Sequence, residues 1–295
     1  MDAAEIQRLF SGIKVWKRGQ ERAPHKPLLL LYALGRCAKG DPRELPFREV
    51  DPALARLLQE YAPMRPSQHT EYPFWRLQND GLWAIPDPET LKRRASNSDA
   101  KRSELLEKNV TGGFPPELYD ELRKRPALIK QLGRDLLEEN FPPSYHEDIA
   151  DAVGLDLWTR GKASTRDPRF RNRILEAYGH RCSVCSFDLK LGCDSIGLEA
   201  AHIMWHQAGG PDEESIGLAL CALHHKLFDR GAFTVDLGLR IRLSRFLTGN
   251  TSLAGTLALN LRPLLTPSRS EHLPKQERIR WHHQQVFKGS PGDLS

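Results

Sequence analysis

Apolar residues follow a helical spacing over long parts of the chain. Residues 25–40, HKPLLLLYALGRCAKG, are apolar on nearly every side and end at a glycine, which predicts a buried helix. Residues 116–141 keep this spacing on both sides of Pro126 and predict two consecutive helices. Residues 168–182, PRFRNRILEAYGHRC, place apolar side chains three and four positions apart, so they predict another helix.

Other segments have the patterns of strands and turns. Residues 72–85, YPFWRLQNDGLWAI, have two aromatic runs around NDG, which predicts a hairpin. Residues 231–244, GAFTVDLGLRIRLS, alternate apolar and polar side chains and predict a second hairpin. Residues 274–287, PKQERIRWHHQQVF, predict a terminal helix. The fold class that we expect is α+β, with a mixed, largely helical N-terminal domain and a smaller C-terminal module.

A small, polar and charged stretch at residues 156–168 predicts a domain boundary. We expect one domain in residues 1–155, a linker and helix in 156–181, and a second domain in 182–295. The length of 295 residues is sufficient for two cores. The chain has no apolar run of the roughly 20 residues that a membrane span needs. It also begins without a secretion signal, so we expect a cytoplasmic protein with no membrane partner.

The excess of basic residues lies in the C-terminal part of the chain. The formal net charge is +5, and basic and acidic residues balance within residues 1–155. Such an excess fits nucleic-acid binding, and it fits solubility equally well. Charge alone therefore does not identify a partner.

Two closely spaced pairs of residues predict a metal site. Cys182 and Cys185 are separated by two residues, and Cys221 and His224 repeat this spacing. Two such pairs supply the four ligands of a tetrahedral structural Zn²⁺ site. His225 comes next, and neighbouring side chains on a helix point about 100° apart, so His225 is available for a different task. The odd total of five cysteines argues against a disulfide framework.

The motifs between and after these pairs are EAAHI, GLALC, HH and FDRG, and residues 182–235 resemble the HNH (ββα-metal) endonucleases. The resemblance implies two strands and a helix, with His202 at the end of the first strand as the general base. It also implies that His225 binds a catalytic divalent ion such as Mg²⁺ or Mn²⁺. Phosphodiester hydrolysis requires both an activated water and a cation near the phosphate oxygens.

One departure from the HNH pattern leaves the second ligand of the catalytic ion open. Ala201 stands where the family often has an aspartate ligand. Glu199 shares a strand face with Ala201 and is one candidate. Asp229 lies one helical turn after His225 and is the other candidate, which we favour slightly over a role in closing the helix.

Three more positions near the motif remain ambiguous. Ile216 stands where the family has an asparagine whose role is mainly to position a loop, and this loss bears on activity. Trp205 and His206 follow the base and either line the site, contact DNA or pack against neighbours.

The N-terminal part contains a second set of motifs, APHKPLLLL, PSQHTEYPFWRLQNDGLWAI, NVTGGFPPEL and PPSYHEDI. Most of residues 5–155 are similar to the sulfur-binding domain, a family fused to HNH nucleases in type IV restriction enzymes. The resemblance implies double-stranded DNA, phosphorothioate-modified, as the partner. Sulfur is larger and less hydrated than the oxygen it replaces, so a shallow apolar pocket would prefer it.

The residues that would recognise the modified DNA follow from this similarity and from residue type. Phe114, Pro115 and Leu118 form either the apolar pocket for sulfur or a plain apolar start of a helix. Gln68 and His69 are candidates for the same phosphate, and Tyr145 and His146 for base edges. The remaining candidates contact the DNA backbone or form a solvated face: Lys26, Arg93, Arg94, Lys101 and Arg102.

Three functions therefore remain open at the level of sequence. The first is a modification-dependent (type IV) restriction endonuclease. The second is an HNH endonuclease that reads another mark or plain sequence. The third is a zinc-stapled DNA-binding protein without nuclease activity. Two-strand cleavage by single-site modules also suggests a homodimer, with the tail helix around Trp281 as a candidate contact.

Overall fold

The computed structural model describes residues 1–18, 21–65, 67–95, 99–158, 168–192, 194–205, 213–250 and 255–289. The chain divides into two compact units, an N-terminal unit of residues 1–162 and a C-terminal unit of residues 163–295. Among the helices in these ranges, none combines the length and apolar character needed to cross a membrane.

The N-terminal unit consists mainly of helices with two pairs of short antiparallel strands. Its helices are α1 (Ala3–Ser11), α2 (His25–Lys39), α3 (Phe47–Tyr61), α4 (Glu71–Arg76), α5 (Arg102–Glu107), α6 (Pro116–Lys124), α7 (Pro126–Asn140) and α8 (Pro143–Val153). Its strand pairs are β1 (Lys17–Arg18) with β2 (Glu21–Arg22) and β3 (Leu45–Pro46) with β4 (Thr111–Gly112). The predicted buried helix and the two helices around Pro126 are confirmed.

Helix α2 lies at the centre of the N-terminal unit because apolar side chains surround it. Leu28, Leu31 and Leu34 are fully buried, and the helix packs against α3, α4, α6, α7 and α8. Gly35 allows the end of α8 to approach closely, since a Cβ atom there would lie 2.0 Å from the carbonyl oxygen of Val153. The helix ends at Gly40, whose φ of 85° is left-handed.

The hairpin predicted for residues 72–85 is wrong. Residues 71–76 form α4, and a 3₁₀ helix (Leu77–Asp80) follows it directly. The turn sequence NDG closes this helix instead of joining two strands, with Gly81 at φ 72°. A glycine that tolerates positive φ suits a helix end as well as a hairpin turn. Phe74 and Leu77, three positions apart, are both fully buried, which is the helical reading of the same apolar run.

The C-terminal unit surrounds a short two-stranded hairpin with helices. Its helices are α9 (Pro168–Ala177), α10 (Ala222–Asp229) and α11 (Gln276–Gln285). Its strands pair as β5 (Lys190–Leu191) with β6 (Asp194–Ser195), β7 (Leu198–His202) with β8 (Gly217–Cys221), and β9 (Phe233–Val235) with β10 (Ile241–Leu243). The predicted helix after residue 168, the hairpin of residues 231–244 and the terminal helix are confirmed, as is the α+β class.

The β7–β8 hairpin and α10 give the unit its strand–strand–helix centre. The strands pair from Leu198 opposite Cys221 to His202 opposite Gly217, and α10 begins immediately after Cys221. Helices α9 and α10 both contact this hairpin. Leu220, Phe228 and Ile279 share its apolar core. The motif residues are therefore held on a packed scaffold.

Candidate functional site

Four side chains converge at the start of α10. Cys221 ends β8 and precedes the helix, and His224 lies in its first turn. The turn that contains Cys182 and Cys185 is held against β8, because the backbone N–H of Ser183 donates to the carbonyl oxygen of Ala219 at 2.8 Å. The ligand atoms of the four residues all lie within 4.8 Å of one another. The structure thus brings the two predicted pairs together.

The geometry of this cluster fits a tetrahedral ion. The Nδ1 atom of His224 lies 3.1 Å from Sγ of Cys221 and 3.6 Å from Sγ of Cys182. An ion at about 2.3 Å from sulfur and 2.0 Å from nitrogen would separate such a pair by about 3.5 Å. Burial by itself raises the pKa of the Cys182 thiol, but hydrogen bonds from His224 and from backbone N–H groups lower it to about 6, whereas burial raises the pKa of the Cys185 and Cys221 thiols. The cluster can therefore bind a metal.

The neighbouring His225 belongs to a different group of side chains. Its Nδ1 atom lies 2.5 Å from Oε2 of Glu199, and its Nε2 atom lies 3.1 Å from Oδ2 of Asp229. His225 and Asp229 are almost completely buried, whereas the Glu199 side chain is 42% exposed. Both candidates for the second ligand therefore contact this imidazole, and they do so at opposite nitrogen atoms.

His202 occupies the last position of β7 and is half-buried. Its ring stacks on Phe170 of α9, with ring centroids 4.2 Å apart and an interplanar angle of 22°. Side chains alternate along a strand, so Glu199 and Ala201 share one face and His202 starts on the other. Whether His202 and His225 can reach the same phosphate therefore depends on the direction of the chain after His202.

The aromatic residue after the base packs inside the C-terminal unit. Trp205 contacts Trp281 of α11 edge-on, with centroids 5.5 Å apart. Trp281 is only 6% exposed, so its own side chain packs within the unit, and the homodimer contact of the tail helix stays a prediction. His206 lies outside the described residues.

The residues predicted to form a sulfur pocket lie mostly in the core. Phe114 is 2% exposed and packs between Phe10 and Trp83. Leu118 is buried as well, and Pro115 is half-buried. Gly113, which precedes Phe114, allows its backbone to lie close to that of Arg43, because a Cβ atom at residue 113 would lie 1.8 Å from the carbonyl oxygen of Arg43. A surface pocket lined by all three predicted side chains is therefore not what the structure shows.

The other predicted base and phosphate contacts divide by burial. Tyr145 is 1% exposed and His146 is 7% exposed, and Nε2 of His146 bonds to the carbonyl oxygen of Phe141 at 2.8 Å. Lys26 forms an ion pair with the buried Asp80. These three residues are tied into the fold.

His69 and Gln68, by contrast, are half-buried. The Nε2 atom of His69 lies 3.0 Å from Oγ of Ser67, and Nδ1 lies 3.2 Å from Oε1 of Glu71. The ring stacks on Tyr72 with centroids 4.7 Å apart. The imidazole is thus oriented while an appreciable part of it stays in solvent.

Two arginines and a tyrosine lie beside His69, and we call them the arginine surface: Tyr72, Arg76 and Arg94. Arg76 binds the buried Asp99 through Nε and Nη2, at 3.1 and 2.6 Å. Arg94 binds the buried Glu71 at 2.7 Å. Both guanidinium groups lie over the Tyr72 ring, at 4.6 and 5.0 Å from its centroid. Arg94 was predicted from the sequence, whereas Arg76 and Tyr72 were not, although they lie four positions apart on α4.

The remaining predicted cations have different environments. Arg102 pairs with the buried Asp51, and its own side chain is 51% exposed. Arg93 is exposed and lies over the Trp75 ring at 5.5 Å, and Lys101 is also exposed. Exposed or half-exposed cations suit contacts to phosphates, and Arg102 and Arg93 are in addition held by neighbouring side chains.

Comparison with known families agrees with this division of the chain. Residues 3–158 match the family described as the ScoMcrA-like DNA sulfur-binding domain, and residues 182–236 match the family described as HNH endonuclease. No curated protein matches the chain.

Several solved structures are similar to the chain. The sulfur-binding domain of ScoMcrA complexed with phosphorothioated DNA has a TM-score of 0.45 and 24% identity, over 50% of this chain and 94% of that one. The type IV phosphorothioation-dependent restriction endonuclease ScoMcrA has a TM-score of 0.43 and 24% identity, over 59% of this chain and 38% of that one. The modification-dependent restriction endonuclease TagI has a TM-score of 0.29 and 25% identity, over 45% and 41%. This chain thus spans less than two thirds of the last two.

Both resemblances inferred from the motifs are confirmed by the family matches. The HNH match coincides with β7, β8 and α10 and includes the Cys/His cluster. The protein is therefore an HNH-type DNA endonuclease, an enzyme class that uses divalent metal ions. The other match covers more than half of the chain, which belongs to the ScoMcrA-like DNA sulfur-binding domain family.

Proposed function

We propose that this protein is a modification-dependent (type IV) restriction endonuclease that binds phosphorothioate-modified DNA and cuts phosphodiester bonds nearby. The observation that carries the nuclease part is the separation of two adjacent histidines into two groups of side chains. His224 joins three cysteines, and His225 joins two carboxylates. The family of residues 3–158 supports the recognition part.

We assign recognition to residues 1–155 and cutting to residues 182–295, with 156–181 as linker and helix. The division of the structure between residues 162 and 163 falls inside that linker and supports the assignment. Helix α9 nevertheless packs with the nuclease core through residues such as Ile174.

The Cys/His cluster would hold Zn²⁺ in a structural role. Three thiolates and one imidazole supply a full tetrahedron, which leaves no open position for a substrate. The cluster joins the turn at Cys182 to the start of α10, so the ion would fasten two segments that are distant in sequence. A small module with a thin core benefits from such a link.

A catalytic Mg²⁺ or Mn²⁺ would be held by His225 and Glu199. When bound, the ion would neutralise charge on the phosphate oxygens. Glu199 is the exposed carboxylate of the pair, whereas Asp229 is buried behind the ring at the opposite nitrogen. A carboxylate in that place orients a ligating imidazole. We therefore assign Glu199 as the second ligand and Asp229 as the residue that positions His225, in place of the ligand role favoured for Asp229 from sequence.

His202 would act as the general base that takes a proton from the attacking water. Its position at the strand end leaves the ring half-buried, with one face covered by Phe170. A neutral imidazole can take a proton from water, which is the task of a general base. The deprotonated water then attacks phosphorus, and the leaving 3′ or 5′ oxygen takes up a proton from solvent.

The modified phosphate would be bound on the N-terminal unit near Gln68, His69 and the arginine surface. His69 is oriented by Ser67 and Glu71, and its ring is 44% exposed. Arg76 and Arg94 are held by buried carboxylates, so little conformational entropy is lost when they contact a phosphate. Pro115 is the residue of the predicted apolar pocket that remains partly at the surface.

A cleavage assay on one DNA sequence in three forms tests the proposal. We expect Mg²⁺- or Mn²⁺-dependent cutting of the phosphorothioated duplex, with no cutting of the methylated or plain duplex at the same protein concentration. The His202→Ala variant should bind but not cut. Equal cutting of all three duplexes would show that the enzyme does not read sulfur. Cutting of the methylated duplex alone would assign it another mark.

A further inference from the structure

Two neighbouring residues of α11 contact the two segments that carry the nuclease side chains. Trp281 contacts the segment that follows His202, and His282 contacts α10, which carries His225. Helix α11 lies beyond residues 182–236, the part matched by the HNH endonuclease family. We propose that α11 is a positioning element of the nuclease site and sets the place of His202 relative to His225. This inference rests on the proposed function.

On the side of the base, α11 determines how the chain leaves β7. Met204 is fully buried and forms a separate apolar cluster with Trp281 and Val286, against which Trp205 packs. Arg278, one turn before Trp281, contacts the sulfur of Met204. The two residues that come two and three positions after His202 are thus both fastened to α11.

On the side of the ion ligands, the His282 ring contacts α10 through its face and its Nε2 atom, and β9 through its Nδ1 atom. The ring stacks on Phe228 with centroids 3.8 Å apart and an interplanar angle of 8°. Its Nε2–H donates to the carbonyl oxygen of Phe228 at 3.2 Å, and Nδ1 accepts from the hydroxyl of Thr234 at 2.8 Å. A carbonyl can only accept, which assigns the proton to Nε2. Phe228 directly precedes Asp229, so the turn that positions His225 is fixed.

The chain after α11 closes the same arrangement. The backbone N–H of Lys288 donates to the carbonyl oxygen of Gly231 at 2.9 Å. A Cβ at Gly231 would lie 2.0 Å from the carbonyl oxygen of Val286, so only glycine allows this approach. The end of α10 is thus fixed to the segment that follows α11.

These contacts matter because His202 starts on the strand face opposite Glu199. Bringing a base and an ion to one phosphate then depends on the turn after His202, and α11 holds that turn and α10 together. A misplacement of about 1 Å in such a site costs about 10²-fold in rate. Trp281 accordingly acts in this proposal as a positioning residue, through its packing with Trp205 and Met204.

Single-turnover cleavage by Trp281→Ala in the full chain tests this inference. At saturating protein we expect the rate to fall on the order of 10²-fold, with the Kd for phosphorothioated DNA and the bound metal content unchanged. Trp281→Phe should recover most of the rate, because an aromatic ring still packs on Trp205. Gln284→Ala changes an exposed position of the same helix and should cut like the parent.

The result that would overturn the inference is a parent-like rate in folded, metal-loaded Trp281→Ala. If that variant is partly unfolded, the rate per folded molecule in Trp281→Leu decides, and a parent-like value there would also reject a positioning role. His202→Ala is assayed in parallel. Cutting by His202→Ala would refute the proposed base whatever Trp281 does, so the two failures are distinguishable.

Discussion

At the scale of single residues, the adjacent pair His224 and His225 places two kinds of chemistry on one short helix. A rotation of about 100° per residue sends the first toward the cysteines and the second toward the carboxylates. Glu199 and Asp229 then contact different nitrogens of His225. Glu199 is partly exposed and Asp229 is buried. The Nδ1 side of the ring is therefore suited to binding an ion, and the Nε2 side is suited to a contact that orients the ring.

Replacing each of the two histidines in turn by alanine separates these tasks. We expect His224→Ala to lose the structural metal and to unfold the C-terminal unit, because metal binding contributes about 10–16 kcal/mol in small zinc modules. We expect His225→Ala to keep the structural metal and the fold but to lose cleavage. Metal content by atomic emission and far-UV circular dichroism check both. Equal loss of metal in the two variants would contradict the assignment.

The spacing of cysteines and histidines was sufficient to predict this cluster, since ligand spacing on a turn is a local property. The sulfur pocket was harder to predict. Phe114, Leu118, Tyr145 and His146 are residue types that suit a binding pocket and a core equally, and all four are buried. Which of these roles applies depends on packing between distant segments. Arg76 was missed because its buried partner, Asp99, is distant in sequence.

At the scale of elements, periodicity predicted the long helices, and turn chemistry misled once. The segment around NDG became α4 and a 3₁₀ helix because one glycine conformation serves both a hairpin and a helix end. The terminal helix was predicted, but its role was not. From sequence it was a candidate homodimer contact, whereas in the structure Ile279, Trp281 and His282 are buried within the C-terminal unit.

The burial of His282 predicts a pH dependence for the C-terminal unit. Burial lowers the pKa of His282 to about 3, with a smaller contribution from His283, while Phe228 and Asp229 act in the opposite direction. The pKa in the unfolded chain is about 6.5. The stabilisation from neutral His282 is therefore complete above pH 6.5 and is lost as the pH falls toward 3.

A comparison with His282→Gln measures this effect, because glutamine does not titrate. Calorimetric unfolding of both full chains at several pH values should show the advantage of the parent shrinking below pH 6.5. The expected decrease is about 1.4 kcal/mol for each pH unit. Metal ligands titrate in both proteins and cancel in the difference. An advantage that stays constant between pH 7.5 and 5.5 would show that His282 is not protonated on unfolding.

At the scale of the whole molecule, the proposed function assigns recognition and cutting to different parts of the chain. The family matches fall on either side of residues 159–181. The arginine surface lies in the first part, and the hairpin with α10 lies in the second. Variants of the arginine surface should therefore change DNA binding without changing the chemical step. Variants of the hairpin and α10 should change the chemical step without changing DNA binding.

Arg76→Ala and His202→Ala provide this reciprocal comparison on phosphorothioated duplex. Arg76 is 42% exposed, and loss of one phosphate contact should reduce the slope of log affinity against log salt by about 0.9. At saturating protein its single-turnover rate should match the parent, because the cutting residues are untouched. His202→Ala should keep both affinity and slope and lose cleavage. Lys124→Ala removes a cation that is 68% exposed on α6 and serves as the control.

An equal loss of slope in Lys124→Ala would mean that Arg76 acts only through net charge. A slow single-turnover rate in saturated Arg76→Ala would mean that binding and cutting are not separate.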